Sequence, residues 1–128
     1  MEMIVIRKLQ PVHSDERGNI WDLINEEVCH VGVLNTKAGH IRGNHYFKKS
    51  KRYAYVLSGK FKIILAPAKN PKEKQEFILE KDYLIEIPPG IIHTFEALED
   101  SVMIGMDTIS RAEGGYENDI VREVIHQK

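Results

Sequence analysis

The chain has 128 residues, of which 42% are hydrophobic and 29% charged, and its 18 basic and 19 acidic side chains leave a formal net charge of −1. This composition is typical of a globular protein and excludes collagen-like and disordered chains. The balanced charge gives no general attraction for nucleic acid, and the short apolar runs cannot span a bilayer, which takes about 20 residues. Because the N-terminus does not resemble a signal peptide, we expect one cytoplasmic domain that neither crosses a membrane nor binds nucleic acid.

Short runs of alternating apolar and polar residues, separated by Gly, Pro and Asn, predict an all-β fold. Residues 53–57 and 60–65 are predicted to form a hairpin around Ser58 and Gly59, because glycine permits the positive φ of a tight turn. Asn70-Pro71 could begin a helix that runs through Glu80, but Phe77 and Leu79 alternate with polar neighbours, so a loop that leads into a strand is preferred there. Residues 119–124 are predicted to be either a strand or a brief helix. The remaining predicted strands are 4–9, 20–24, 31–35, 75–80, 83–87, 94–97 and 102–106, a spacing that suits a sandwich or barrel.

Two of the six histidines, His45 and His93, follow turn-forming glycines at the predicted entrances of strands, so both can point into one barrel mouth. The single cysteine, Cys29, has no cysteine partner for a disulfide and is predicted to be a small buried side chain. The other histidines carry no motif and are predicted to be surface or packing residues; they are His13, His30, His40 and His126.

The spacing around the two histidines resembles the two sequence motifs of the cupins. The residues that match are Gly39, His45 and Gly59 in the first motif, and Pro88, Gly90 and His93 in the second. This resemblance covers core motifs at 39–59 and 82–97. It implies that residues 1–128 form a single cupin domain, a double-stranded β-helix closed into a jelly-roll-like barrel.

A metal-binding cupin holds its ion through His, His, Glu and His, and two of these ligands are replaced here by Phe47 and Arg52. Two imidazoles leave a divalent ion under-coordinated, and a guanidinium places a fixed positive charge beside it. We therefore predict no metal and no cofactor. A metal, if bound, would be held by His45 and His93, with Glu96 or Asp107 as weak candidates for a completing carboxylate.

A narrower resemblance is carried by Asp15-x-Arg17-Gly18, Arg42-Gly43-x-His45-Tyr46 and Ile87-Pro88-x-Gly90-x-x-His93-x-Phe95. These segments are similar to the nucleotide-sugar cupins, which include dTDP-4-dehydrorhamnose 3,5-epimerases and dTDP-4-keto-6-deoxyglucose 3,4-ketoisomerases. Such enzymes work without a metal on 4-keto-6-deoxy sugars. The resemblance implies a dTDP- or UDP-linked sugar as substrate and a role in surface-polysaccharide biosynthesis.

The resemblance also implies that His45 is the catalytic base. The chemistry agrees, because removing a proton α to a ketone needs a base with a pKa near 7. Arg52 stands where the epimerase pattern has a lysine and is the candidate that stabilises the enolate, while His93 orients or relays. The candidate substrate contacts are Arg17 and Arg42 for the diphosphate, and Tyr46, Phe47, Tyr53 and Phe95 for the base or sugar.

Residues 102–106 lack the tyrosine acid that the epimerase pattern places there, which favours keto-isomerisation by one base through an enediol. Residues 115–122 resemble the acidic, tyrosine-containing ending of the ketoisomerases, whereas residues 42–46 match the cupin domain of capsule-pathway reductases. Two alternatives stay open: a non-catalytic cupin that binds a sugar or nucleotide, and a metal-dependent cupin enzyme. A homodimer is predicted, with the strand at 4–9 crossing to a partner sheet.

Overall fold

A computed structural model describes residues 4–110 and 112–127, apart from the side chain of residue 113. Within these residues the chain forms twelve strands and one short α-helix, which confirms the all-β prediction. The strands are β1 (Val5–Lys8), β2 (His13–Asp15), β3 (Gly18–Ile20), β4 (His30–Thr36), β5 (Ile41–Phe47), β6 (Arg52–Ser58), β7 (Lys60–Pro67), β8 (Gln75–Glu80), β9 (Tyr83–Ile87), β10 (Ile91–Ala97), β11 (Ser101–Asp107) and β12 (Ile120–Arg122). Helix α1 (Gly115–Asp119) follows a 3-10 turn over Ala112–Gly114, and no helix in the described ranges is long or apolar enough to cross a membrane.

Ten of the strands form two five-stranded antiparallel sheets. The first sheet has the order β1-β9-β6-β11-β4 and the second the order β12-β5-β10-β7-β8, while β2 and β3 make a separate hairpin. From β8 to β12 each strand lies in the sheet opposite to the one before it, as do β4 to β7, so the chain winds around one core. This is the double-stranded β-helix that the cupin resemblance implied. The core between the sheets is built from side chains such as Val56, Phe61, Ile63, Leu65, Ile85, Ile87 and Phe95.

Several local predictions were wrong. The turn at Gly59 exists, with a φ of +89°, but β6 and β7 do not pair with each other. Instead β6 lies between β9 and β11 and β7 lies between β8 and β10, because both strands have long buried stretches that need a strand on each side. The strand predicted at 20–24 ends at Ile20, and Cys29 is exposed. Within this one chain β1 pairs with β9, and its crossing to a partner sheet stays a prediction.

The two predictions that left the backbone type open are resolved as follows. Residues 70–74 form turns and a loop that lead into β8, as predicted. In the tail, the strand alternative is the observed one, because residues 120–122 form β12, which pairs with the outer edge of β5. The second sheet therefore ends in a strand from the C-terminal part of the chain.

Candidate active site

Strand β5 carries the first histidine motif and is interrupted by a bulge. Gly43 and Asn44 have φ values of +106° and +58°, and the pairing with β10 shifts there, since His93 pairs with His45 and Thr94 already pairs with Gly43. In a regular strand, residues three apart point to opposite faces. The extra residue of the bulge turns Arg42 to the same face as His45, and both side chains line one cavity inside the barrel.

The bulge depends on a glycine because β5 approaches β10 closely. A Cβ atom on Gly43 would lie 2.5 Å from the carbonyl oxygen of His93 and 3.2 Å from the Cα of Thr94. This close approach brings the two motif histidines together, with their ring centroids 4.7 Å apart in an edge-to-face arrangement. The sequence prediction that His45 and His93 face one mouth is therefore what the structure shows.

His93 is almost wholly buried, with 1% of its surface exposed. Its Nδ1 donates to the carbonyl oxygen of Ile91 at 3.1 Å, which fixes the proton on Nδ1 and leaves the lone pair on Nε2. Burial lowers the pKa of His93 well below its usual value, and the positive potentials of His45 and Arg52 lower it further. His93 is therefore a neutral imidazole near pH 7.

Arg52 reaches the histidines from the first sheet, where it is held by a buried carboxylate. Its Nε donates to Oδ1 of Asp107 at 2.5 Å and its Nη2 to Oδ2 at 3.2 Å. Asp107 pairs in register with Arg52 on one side and with His30 on the other, and His30 Nδ1 lies 3.3 Å from its carboxylate. On the opposite side the guanidinium carbon of Arg52 lies 5.3 Å from the centre of the Phe47 ring. Two parallel hydrogen bonds and a ring contact thus fix its orientation.

These side chains surround a cavity of about 360 Å³ at the barrel mouth. Three arginines and two histidines line it, and among the described residues no acidic side chain does. The cavity therefore favours an anionic ligand. Its lining consists of Leu34, Ile41, Arg42, Gly43, His45, Arg52, His93, Phe95, Met103, Tyr116 and Arg122.

Of the side chains predicted to contact substrate, Arg42 and Phe95 line this cavity. The guanidinium of Arg42 is oriented by Thr36, whose Oγ1 accepts from Nε at 2.8 Å, and by the carbonyl oxygen of Asn35, which accepts from Nη2 at 2.6 Å. Phe47 is buried behind the cavity, with its ring 5.5 Å from His45 and 5.8 Å from His93. It supports the imidazoles from one side.

The other three predicted contacts lie elsewhere. Tyr46 points to the outer face of the second sheet, where it packs near Ile92, and Tyr53 is buried on the outer face of the first sheet, where its hydroxyl donates to Glu26. Arg17 is exposed in the β2–β3 hairpin and donates to Asp15, which lowers the pKa of that carboxyl to about 2, with a second hydrogen bond from His13. None of the three lines the cavity.

Two cavity residues, Tyr116 and Arg122, were not predicted as site residues. Both belong to the C-terminal part of the chain, and the Tyr116 ring lies 5.7 Å from that of Phe47. The signal that could have found them is the β-branched pair Ile120 and Val121, which favours a strand, together with the edge that β5 offers to such a strand. The sequence alone does not specify that pairing.

The cavity residues do not fit a divalent metal ion. Among the described residues no three His, Cys, Asp or Glu side chains are grouped to hold one. The two carboxylates considered as completing ligands are engaged elsewhere, since Glu96 lies 2.6 Å from Nε2 of His126 and Asp107 binds Arg52. A fixed guanidinium beside two imidazoles also opposes a second cation.

Comparison with known proteins identifies one family and several solved structures with the same fold. The family model described as "Polysaccharide biosynthesis C-terminal domain" matches residues 13–111. No curated protein matches the sequence at a significant level.

Three solved structures show the same fold. A variant of a 3,4-ketoisomerase from Thermoanaerobacterium thermosaccharolyticum, in complex with TDP-4-keto-6-deoxyglucose, has a TM-score of 0.78 and 18% identity over 96% of this chain and 89% of that chain. A 3,4-ketoisomerase from Helicobacter canadensis has a TM-score of 0.78 and 18% identity over 94% and 90% of the two chains. The dTDP-4-dehydrorhamnose 3,5-epimerase from Sulfolobus tokodaii has a TM-score of 0.72 and 23% identity over 91% of this chain and 74% of that chain. At such identities the likeness shows the fold alone, which is the double-stranded β-helix barrel described above.

Proposed function

The chain belongs to the family of polysaccharide biosynthesis C-terminal domains, and on that premise we propose that it is a nucleotide-sugar isomerase. Its substrate is a 4-keto-6-deoxy sugar joined to dTDP or UDP, and its reaction is base-catalysed proton transfer at a carbon α to the ketone. The observation that carries this proposal is the grouping of His45, His93 and Arg52 in one cationic cavity. The substrate bound to the Thermoanaerobacterium enzyme, which has this fold, supports the choice of sugar.

In this proposal His45 is the base that removes the α proton. Its ring lies against that of His93, which stays neutral because burial disfavours its charged form. When His45 becomes an imidazolium, the neutral ring beside it adds no repulsion. The two neighbouring imidazoles can therefore have different roles at neutral pH: His45 takes the proton, and His93 orients the His45 ring.

Arg52 stabilises the negative charge that develops on the ketone oxygen. Two of its five N–H groups donate to Asp107, which leaves the others for a ligand in the cavity. A guanidinium does not give up its proton, so Arg52 acts on the enolate by charge and hydrogen bonding and not as an acid. Its orientation before substrate arrives is the property that makes such stabilisation effective.

Keto-isomerisation needs one base at carbon, because the proton taken from the carbon beside the ketone is returned to the former ketone carbon through an enediol, while the hydroxyl proton passes from the first carbon's oxygen to that of the second. Epimerisation needs an acid on the other face of the sugar. Tyr116 lines the cavity from the C-terminal segment and is the one tyrosine to do so among the described residues. We assign keto-isomerisation as the reaction, since residues 102–106 hold no tyrosine in the place where the epimerase pattern has its acid.

The test is turnover of TDP-4-keto-6-deoxyglucose, followed by proton NMR, in the wild type and in His45→Gln. We expect the variant to be at least about 100-fold slower, which is the usual contribution of a general base, with dTDP affinity by calorimetry unchanged within about twofold. His13→Gln, an exposed histidine of the β2–β3 hairpin, is the matched control and should turn over normally.

The alternatives predict other results. Full activity of His45→Gln would show that another group is the base. If the wild type binds dTDP or UDP but converts neither the dTDP-linked nor the UDP-linked 4-keto-6-deoxy sugar, the protein is the non-catalytic binding cupin. A homodimer and a cytoplasmic location remain predictions from the sequence.

A further inference from the structure

The C-terminal segment, residues 115–126, is fastened to β5 at its bulge by the side chain of Asn44. Its Oδ1 accepts from the backbone N–H groups of Ile125 at 2.9 Å and His126 at 3.2 Å, and its Nδ2 donates to the carbonyl oxygen of His126 at 3.0 Å. The hydroxyl of Thr94 on β10 donates to the same Oδ1 at 2.9 Å. One side chain thus joins β10, β5 and the tail.

A second attachment lies at the other end of the segment. The carboxylate of Asp119, which is 5% exposed, accepts from the backbone N–H groups of Lys49 at 2.8 Å and Ser50 at 3.0 Å in the loop after β5. Between these attachments, β12 extends the second sheet and pairs Arg122 with His45. Directly paired residues of neighbouring strands point to the same face, so Arg122 faces the cavity beside the proposed base.

The charges around the cavity show what such an arginine can bind. The Arg52 guanidinium is compensated by Asp107. Arg42 donates to the neutral oxygens of Thr36 and Asn35, and Arg122 has no ion pair among the residues the structure describes. Two uncompensated guanidiniums therefore line the cavity from adjacent strands, and they match the two negative charges of a diphosphate ester.

We propose that Arg122 is a phosphate-binding residue that, with Arg42, holds the diphosphate of the nucleotide sugar. The identity of the ligand rests on the proposed function, whereas the pair of guanidiniums does not. Arg17, which was predicted from sequence together with Arg42 to contact the diphosphate, is exposed in the β2–β3 hairpin and bound to Asp15. The C-terminal segment is thus a wall of the substrate site that supplies a specificity-determining residue.

The experiment measures binding by calorimetry for the wild type, Arg122→Gln and Arg122→Lys, with dTDP, thymidine and inorganic pyrophosphate as probes. We expect Arg122→Gln to weaken dTDP and pyrophosphate binding about tenfold or more and to leave thymidine binding unchanged. Arg122→Lys should fall between, because an ammonium keeps the charge and loses the paired hydrogen bonds. Arg122 is exposed, so the fold should survive, and equal melting temperatures check this. Arg7→Gln, an exposed arginine on β1, is the control and should bind every probe as the wild type does.

The outcomes separate this inference from the proposed function. Wild-type affinity of Arg122→Gln for dTDP and pyrophosphate overturns the inference and leaves the proposed function standing. Failure of the wild type to bind dTDP or UDP overturns the proposed function, and the inference then stands only if pyrophosphate binds and Arg122→Gln weakens it. Equal loss of thymidine and dTDP binding in Arg122→Gln also overturns the inference, because the cause would then be a general distortion of the site and not the loss of a phosphate contact.

Discussion

Strands β5 and β7 flank β10 on its two sides, yet they do different work. β7 pairs with β10 over seven consecutive residues without a register shift, and it fills the core with Phe61, Ile63 and Leu65. β5 pairs with the same strand through a bulge and supplies Arg42 and His45 to the cavity. A regular strand gives packing at every second position, whereas one extra residue lets a strand present two functional side chains three positions apart on one face.

The largest effect should come from removing the bulge with Gly43→Ala. The new methyl group would lie 2.5 Å from a backbone oxygen, at a φ of +106° that side chains rarely adopt. We expect a loss of about 4 kcal/mol in the free energy of unfolding, because overlap and backbone strain add. Urea denaturation measures it.

The regular strand provides the control for that variant. Ile63→Val on β7 should cost about 1 kcal/mol, the usual result of deleting one buried methyl group. If Gly43→Ala lowers the free energy of unfolding by no more than Ile63→Val does, the bulge does not depend on a glycine at position 43.

The next largest effect concerns the buried ion pair beside β5, in contrast to an exposed pair at β7. Asp107→Asn should cost about 3 kcal/mol, because it leaves the Arg52 guanidinium without its countercharge. Turnover should fall by more than KM rises, since the proposed role of Arg52 is to stabilise the developing enolate. Glu80→Gln removes the exposed partner that lies 3.5 Å from Lys60 and should change stability by less than about 0.5 kcal/mol. Equal effects of the two substitutions would contradict the role given to Asp107.

The smallest effect is a pH dependence that arises from β10. The pKa of His93 is lowered in the folded state, so below about pH 6.5 the unfolded chain binds a proton that the folded chain does not. The associated stability is complete above about pH 6.5 and is lost as the pH falls toward the lowered folded value, by at most about 1.4 kcal/mol per pH unit. Denaturation curves at pH 7.5, 6.5 and 5.5 give the free energy of unfolding at each pH, and in His93→Gln this free energy should fall less with decreasing pH than in the wild type. Parallel pH profiles for the two proteins would show that His93 is not held neutral.

The sequence predicted the faces of the strands better than their partners. Turn glycines at the strand entrances placed His45 and His93 at one mouth, and the resemblance to the cupins placed Arg52 beside them. The sequence indicated Asp107 only as a weak candidate metal ligand and did not predict its ion pair with Arg52, which lies 55 residues away and meets it through the β6–β11 register. The hairpin at Gly59 was wrong for the same reason: a tight turn sets where the chain reverses, while burial on both faces decides which strands it joins.

The attachment at Asn44 also orders events during synthesis. The side chain of Asn44 precedes its bonding partner His126 by 82 residues. At about 5 to 20 residues added per second, the ribosome delivers that partner roughly 4 to 16 seconds after the first motif. Until then β5 has an unpaired edge. In a nascent chain that has already formed the other strands of both sheets, the cavity is therefore open on one side. The cavity therefore gains its C-terminal lining residues, Tyr116 and Arg122, only after the rest of its wall has been synthesised.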